Sequence, residues 1–146
     1  MLMVLDREVS FNVVSEQGDD VSKLISEMTY AQVKPVEEAD YIFVLKDSCD
    51  EKLEEVIQKS KIGDLIDPQK SATIIAEVEC ISNSGDMELR GPGIKDINEV
   101  NISGNKKWIN ARRDKNEEYP LGIDLIFIDE NDNVVCIPRT TKITEK

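Results

Sequence analysis

The sequence contains no histidine among its 146 residues. This absence excludes Ser-His-Asp and Cys-His catalytic arrangements, acid–base catalysis by imidazole, and histidine metal ligands. The three cysteines, Cys49, Cys80 and Cys136, lie far apart and are odd in number. Such spacing disfavours a zinc or iron–sulfur site built by this chain, and it is typical of thiols kept reduced in the cytosol. We therefore expect no metal site, mostly buried thiols and a cytoplasmic location.

Long apolar runs and a basic surplus are also absent. The apolar runs, such as residues 1–5 and 41–45, fall far short of the roughly 20 residues that a membrane helix needs. Charged residues 6–8 interrupt the first run too early for a secretory signal. The 18 Lys and Arg face 30 Asp and Glu, a net charge of −12. Such a chain repels nucleic-acid backbones and anionic lipid, so we expect neither as a partner.

The length is that of one domain, and we expect residues 1–146 to form a single one. Patterns in the first half alternate between strand and helix, which favours an α/β layer architecture. The second helix begins with a capping-box pattern, Ser48 and then Glu51 three residues later. We expect strands at residues 1–6, 9–14, 31–33 and 41–45, a helix from Asp19 or Asp20 to about Met28, and a helix from Ser48 to about residue 62.

The second half predicts two hairpins separated by a helix. Apolar and polar residues alternate over residues 71–80, as in a half-buried strand, and a turn leads to a return strand at 87–90. A weakly patterned helix follows at residues 105–118. Residues 121–129 and 134–137 flank an Asn- and Asp-rich turn, which predicts the second hairpin.

The segment at residues 89–94 combines a cation with glycines. Gly91 and Gly93 let backbone amides approach a ligand, and Arg90 has the geometry to pair with a phosphate-like oxyanion. Pro92 lacks an amide hydrogen and no GK[ST] ending is present, so the segment is not a P-loop. A tight turn with Arg90 facing solvent is the simpler interpretation, since Gly and Pro are the commonest turn residues.

Asp124 interrupts an otherwise apolar strand. A carboxylate in that setting is costly to bury unless it is paired, and the candidate partners are Arg139, Arg90 or a hydroxyl of Thr140 or Thr141. The alternatives are that Asp124 faces water or anchors an arginine structurally. Residues 138–141, Pro-Arg-Thr-Thr, suit a phosphate or carboxylate about as well as they suit a rigid strand exit.

Four cations flank the single tryptophan, Trp108. In so acidic a chain they suggest either an exposed interface anchor or a charged helix face with Trp108 turned into the core. We favour the second interpretation. The four cations are Lys106, Lys107, Arg112 and Arg113.

The order and spacing of the second-half motifs resemble the PhnH family. These motifs are Asp67-Pro68 followed by Ser71-Ala72-Thr73, LRGPGI at 89–94, YPLGIDLIFID at 119–129 and IPRTT at 137–141. The resemblance covers residues 63–141, about half of the chain, whereas residues 1–62 agree only in their order of elements. Family members usually begin with an additional N-terminal region, a helix followed by Pro-Gly, so this sequence resembles an N-terminally shortened member.

The resemblance implies a cytoplasmic role in the bacterial use of organic phosphonates. Family members are subunits of the carbon–phosphorus lyase system that associate with PhnG, PhnI and PhnJ. With PhnG, PhnI and PhnL they support an ATP-dependent ribosyl transfer that makes a phosphonate ribose triphosphate. The implied fold is a mixed β-sheet with flanking helices, similar to the large domain of transferases that use pyridoxal phosphate, with no cofactor bound. Homodimers are also implied, and no catalytic residue is established for the family.

Two hypotheses follow. The leading one is a non-catalytic, complex-forming accessory subunit with an oxyanion pocket built by Arg90, Gly91, Gly93, Asp124, Arg139, Thr140 and Thr141. The alternative is a stand-alone enzyme or binding protein for a phosphorylated or phosphonate sugar, with Asp124 as base and Arg90 and Arg139 clamping the oxyanion. A pyridoxal-phosphate enzyme is a third, weaker option, because no lysine stands in a context that marks a Schiff base.

Overall fold

The computed structural model describes residues 1–83 and 85–146 in full, and residue 84 by its backbone. Nine strands and three α-helices follow one another along this described chain. They are β1 (Ser10–Val14), α1 (Gly18–Thr29), β2 (Gln32–Val33), β3 (Tyr41–Val44), α2 (Lys46–Lys59), β4 (Thr73–Glu77), β5 (Ile81–Arg90), β6 (Asn98–Ile102), α3 (Trp108–Lys115), β7 (Asp124–Ile128), β8 (Val134–Ile137) and β9 (Lys142–Glu145). A short 3-10 helix, Pro68–Lys70, precedes β4.

A six-stranded sheet forms the centre of the fold, in the order β2-β1-β3-β4-β7-β8. All neighbours are parallel except β7 and β8, which form an antiparallel hairpin. Helices connect the parallel strands, since parallel neighbours need a long crossover. The predicted α/β class, its mixed sheet and the β7–β8 hairpin are confirmed. None of the described helices combines the length and apolar character needed to cross a bilayer.

The hairpin predicted between residues 71–80 and 87–90 is wrong. Strand β4 lies in the middle of the large sheet, between β3 and β7. Strand β5 instead belongs to a separate three-stranded sheet, in the order β6-β5-β9. The regular alternation in β4 arises because the residues on its other face, such as Thr73 and Ile75, are half-buried. The half-buried strand that this pattern predicts is therefore present, but its neighbours are β3 and β7 and not β5.

Two further predictions, the first strand and the cap of the second helix, are also wrong. Residues 1–6 form turns, not a strand, and Leu5 is their only buried side chain. Helix α2 begins at Lys46 with Leu45 at the N-cap, so Ser48 is a buried residue inside the first turn and not a cap. The Asp47 carboxylate instead accepts hydrogen bonds from the Ser15 hydroxyl and the Glu16 amide, at 2.7 and 2.9 Å, which tie α2 to the end of β1.

Helices cover the two faces of the large sheet unequally. One face packs against α2, α3 and the small sheet, around fully buried residues such as Ile74 and Phe127. The opposite face carries α1 over β1 and β3, around Phe11, Phe43 and Ile25. Beyond α1, the part of this face on β4, β7 and β8 holds apolar side chains that are half-buried or exposed. We call it the open sheet face, formed by Ile75, Ile126, Ile128, Val134 and Cys136.

Two of the three thiols are exposed, Cys80 and Cys136, so the expectation of mostly buried thiols is wrong. Burial raises the pKa of the remaining thiol, Cys49, to about 12, and the Asp50 and Glu77 carboxylates add to this rise. Because the thiolate is the reactive form, we expect a chromogenic disulfide reagent at about pH 8 to titrate two thiols quickly and Cys49 only after denaturant is added. Three fast thiols in the folded chain would contradict this burial.

Candidate functional site: a basic cleft at the amino end of the sheet

Most of the residues predicted for the oxyanion pocket lie near the amino ends of the parallel strands. Asp124 is the first residue of β7 and lies beside Thr73 of β4. Because β8 is antiparallel to β7, the turn at residues 138–141 returns to the same edge of the sheet. Open α/β sheets usually bind ligands at the opposite edge, where parallel strands end. The general rule for this fold class therefore does not point to this site.

Asp124 and Arg139 form an ion pair. Arg139 Nη2 donates to Asp124 Oδ2 at 2.6 Å, and the Arg139 backbone amide donates to Oδ1 at 2.7 Å. Arg139 Nε also donates to Oδ1, at 3.4 Å. The structure therefore selects Arg139 from the partners predicted for Asp124. Both carboxylate oxygens are engaged, which leaves Asp124 poorly placed to act as a general base.

The Arg139 guanidinium makes contacts well beyond this ion pair. Nη1 donates to the carbonyls of Pro68 and Pro120, at 3.0 and 3.2 Å, and Nη2 also donates to the Ser71 hydroxyl. A guanidinium has five N–H donors, and these bonds together with those to Asp124 use all five. Arg139 is 17% exposed. It therefore ties the 3-10 helix, β7 and the loop before β7 together, and it has no free donor for a ligand.

The glycine turn after β5 reaches the same region through Gly91. A Cβ on Gly91 would lie 3.1 Å from Thr141 Cα and 3.2 Å from the Thr140 carbonyl oxygen, so a side chain there would require this backbone to shift by a few tenths of an ångström. Gly93 adopts a φ of +85° in open space. Arg90, at the end of β5, is exposed and pairs with Glu88 at 3.3 Å.

The structure thus brings the predicted residues together as two contacts. Asp124 meets Arg139, and Gly91 meets Thr140 and Thr141. Arg90 engages Glu88, and a Gly93 Cβ would meet no heavy atom within 4 Å among the described residues other than its two chain neighbours. Binding of an oxyanion by this set stays a prediction.

A cleft of about 700 Å³ lies beside this turn, between α3, residues 138–141 and β9. Arg139, Thr140 and Thr141 line it, together with apolar side chains such as Ile109 and Ile143. Its size is within the range of small-molecule sites, roughly 300–1,000 Å³. Six charged side chains line the cleft, four of them basic: Arg112, Arg113, Arg139, Lys142, Asp114 and Glu117.

Arg112 is the most buried of the charged cleft residues, and the sequence-predicted pocket omits it. It lies on α3 and is 4% exposed, with Nη2 donating to the carbonyls of Pro138 and Thr141 at 2.7 and 3.0 Å. Burial lowers the pKa of its guanidinium to about 10, and attraction to Asp124 opposes this fall. A signal existed in the sequence: Arg112 follows Trp108 by four residues and so shares its helix face.

Trp108 is buried against Phe127, with ring centroids 4.8 Å apart. The favoured prediction, a tryptophan turned into the core, is confirmed, and the exposed interface anchor is wrong. The four cations around Trp108 differ in their burial and their partners. Lys106 Nζ donates to the Asn101 side chain and the Ile102 carbonyl, whereas Lys107 and Arg113 are exposed and Arg112 is buried.

The loop between α3 and β7 is held in place by Asn116. Its side-chain amide donates to the Ile123 carbonyl at 3.1 Å, and its Oδ1 accepts the Ile123 amide at 2.8 Å. Gly122 has a φ of +137°, and a Cβ there would lie 2.6 Å from Asn116 Oδ1. The glycine of the YPLGIDLIFID motif is therefore needed for this contact, which fixes the start of β7 and Asp124.

At the carboxyl edge of the sheet, several internal hydrogen bonds meet at Asp129. Asp129 accepts hydrogen bonds from the Asn133 side chain and from the amides of Asn133, Ile81 and Asn131, and these bonds lower its pKa to about 2. A cavity of only about 90 Å³ lies at this edge, near Lys46 and Glu77. No group of three acidic or cysteine side chains within the described residues is placed to hold a metal ion.

Comparison with known proteins matches residues 1–144 to the family described as bacterial phosphonate metabolism protein (PhnH). HtxG of Stutzerimonas stutzeri, named as a C-P lyase subunit, is 34% identical over 87 residues, which are 59% of this chain and 44% of the relative. The alpha-D-ribose 1-methylphosphonate 5-triphosphate synthase subunit PhnH of Rhizobium meliloti (strain 1021) is 32% identical over 77 residues, 52% of this chain and 38% of that protein. The match thus spans less than half the length of either relative.

Proposed function

Because the chain belongs to the PhnH family of bacterial phosphonate metabolism proteins, we propose that it is an accessory, complex-forming subunit of a carbon–phosphorus lyase system. The observation that carries this proposal is the family match over residues 1–144. The names of both relatives support it, since each is called a subunit of a larger assembly. Both carboxylate oxygens of Asp124 accept hydrogen bonds from Arg139, which supports an accessory role over independent catalysis.

The finer parts of the proposal rest on the family resemblance. The assembly is a ribose 1-methylphosphonate 5-triphosphate synthase complex, and the partners are subunits of the PhnG, PhnI and PhnJ type. A homodimer, a cytoplasmic location and a single domain resembling the large domain of pyridoxal-phosphate transferases belong to the same proposal. The chain itself works without a cofactor. Gly91, Gly93, Thr140 and Thr141 border a ligand pocket near Arg90, and the Asp124–Arg139 pair holds the pocket walls.

The open sheet face is the surface that we assign to a partner subunit. Parallel sheets occur almost only with both faces covered, because apolar side chains project from each face. Here β4 and β7 are parallel neighbours, yet Ile126 and Ile128 are only half-buried and Val134 beside them is 54% exposed. Register pairs place Ile75 beside Ile126, Ile126 beside Cys136, and Ile128 beside Val134, so the apolar side chains are continuous. Another subunit would complete the layer.

Co-purification tests the proposal directly. The chain is co-expressed with tagged subunits of the PhnG, PhnI and PhnJ type from the same source, and the tagged protein is isolated. We expect the chain to co-purify in a fixed ratio to its partners. Absence of the chain from the isolated assembly would contradict the proposal. Turnover of methylphosphonate with ATP by the purified chain alone would favour the alternative, a stand-alone enzyme.

Substitution on the open sheet face should weaken this association. We expect Val134→Lys combined with Cys136→Lys to lower the affinity for the partner at least about tenfold, because two charges would be buried against an apolar surface. Both residues are exposed in the free chain, so folding should be kept.

Leu24→Lys is the matched control, since Leu24 is 57% exposed on α1 and is not one of the residues that form the open sheet face. Its affinity should equal that of the unmodified chain. Cys136 adds a second measurement, because its reaction with thiol reagents should slow in the complex while Cys80 stays reactive. Equal loss of affinity in the Leu24 variant, or an unprotected Cys136, would place the interface elsewhere.

A further inference from the structure

Arg112 is a buried cation without a counterion. Within the described part of the chain it forms no ion pair, and its hydrogen bonds come from Nη2 alone, to two carbonyl oxygens. Its Nε is buried and has no acceptor among the residues that the structure describes. Buried charges are normally paired, because an uncompensated charge in a poorly solvated site is costly. Asp124 attracts Arg112 at longer range, but its oxygens are bonded to Arg139.

The surroundings of Arg112 favour an anion from outside the chain. The cleft beside it is lined by four cations and two carboxylates, in a protein with 18 basic and 30 acidic residues. Of these cations, Arg139 has no free donor, whereas Arg113 and Lys142 are exposed and take part in no ion pair among the described residues. A local surplus of positive charge in a concave site raises the local concentration of anions.

The volume and the lining of the cleft indicate what the ligand contains besides its anionic group. About 700 Å³ exceeds what a bare oxyanion fills, and Ile109, Leu121 and Ile143 provide apolar wall beside the charged groups. Sites of this kind combine a mainly apolar lining with a few polar groups that set orientation. The ligand therefore has an anionic group and a body of several further atoms.

We propose that the cleft is a binding site for a small phosphate- or phosphonate-bearing molecule. Its oxyanion is held by the buried Arg112 and by the exposed Arg113 and Lys142. Arg guanidinium groups suit tetrahedral oxyanions because their donors are planar and fixed. The Arg112 bonds to Pro138 and Thr141 position the guanidinium beside the 138–141 turn. A purely structural Arg112 would hold the same turn but would not require Arg113 and Lys142.

Binding to the purified chain tests this site independently of any partner subunit. Inorganic phosphate and ribose 5-phosphate are titrated at constant ionic strength, and binding is followed by calorimetry and by the rise in thermal midpoint. We expect saturable binding of both, with ribose 5-phosphate at least about tenfold tighter because its body contacts the apolar wall. Equal affinity for the two probes would contradict the proposed contact between the apolar wall and the body of the ligand.

Three variants decide which residues are involved. Arg113→Gln with Lys142→Gln changes only exposed side chains, so it should fold normally and bind ribose 5-phosphate at least about tenfold more weakly. Arg112→Met should lose binding entirely, and the exposed-pair variant decides the question if Arg112→Met does not fold. Lys95→Gln with Lys107→Gln is the charge-matched control and should bind normally. Absence of saturable binding up to about 10 mM probe, or equal affinity in all variants, would overturn the proposal.

Discussion

Replacing Phe127 by Ala should lower the free energy of unfolding by about 3–5 kcal/mol, because this is the range for large-to-small changes at well-packed aromatic positions. Phe127 is fully buried in the middle of β7, between two neighbouring strands, and its ring meets that of Trp108 on α3. A chain of this size has a total stability of roughly 5–15 kcal/mol. The variant would therefore retain only part of the stability that keeps the domain folded.

Urea unfolding followed by tryptophan fluorescence measures this effect well, since Trp108 is the only tryptophan and reports the environment beside the deleted ring. Phe127→Leu keeps most of the volume and should cost roughly half as much or less. Val134→Ala, at an exposed position of the adjacent strand, should stay within about 0.5 kcal/mol. If Phe127→Ala and Val134→Ala cost the same, the packing of α3 on the sheet described here is incorrect.

The same contact matters for the proposed ligand site. Trp108 and Arg112 lie one helical turn apart on α3, so the packing of Trp108 determines how deeply Arg112 is buried. A loosened α3 in Phe127→Ala should therefore weaken binding of ribose 5-phosphate, even though Phe127 does not line the cleft.

Replacing Arg139 by Met should lower the free energy of unfolding by about 2–4 kcal/mol, the second-largest expected effect. The methionine keeps much of the volume, but the Asp124 carboxylate loses its ion pair, and the carbonyls of Pro68 and Pro120 lose their donors. Breaking a largely buried pair by removing one partner is strongly destabilising, because it leaves an uncompensated charge. The partial exposure of Asp124 places the expected cost below the maximum for fully buried pairs.

A double-mutant cycle separates the ion pair from the other bonds of Arg139. Asp124→Asn in the Arg139→Met background should cost clearly less than it does alone, since the charge to be compensated is already without its partner. Arg90→Met is the matched control, because Arg90 forms an exposed pair with Glu88 and should change stability by no more than about 0.5 kcal/mol. An Arg139 variant as stable as the Arg90 variant would show that the network contributes little.

Local sequence patterns predicted the elements whose own residues carry a clear apolar or turn pattern. The continuous apolar run at residues 41–45 became β3, the stretch around Ile25 became α1, and the turn rich in Asn and Asp joined β7 to β8. The pairing of Asp124 with Arg139 was also accessible, because a carboxylate in an apolar strand needs a cation and Arg139 follows the adjoining strand.

Elements that depend on distant partners escaped prediction. Strands β6 and β9 have weak patterns of their own, and each is defined by its pairing with β5. Residues 1–6 look like a strand, but no strand of the structure pairs with them, so they form turns. The helix face shared with Trp108 signalled the burial of Arg112, but its hydrogen-bond partners were hidden, since they are the carbonyls of residues 138 and 141.

The sequence by itself determined the α/β class, most helix and strand positions, the family, and the absence of histidine chemistry. Only the tertiary structure decided that every side-chain donor of Arg139 is used, that Arg112 is the buried cation of a cleft without an ion pair among the described residues, and that these residues leave half of one sheet face uncovered. The physical reason is that periodicity and composition are local properties, whereas hydrogen-bond saturation and burial of a charge depend on which distant segments meet.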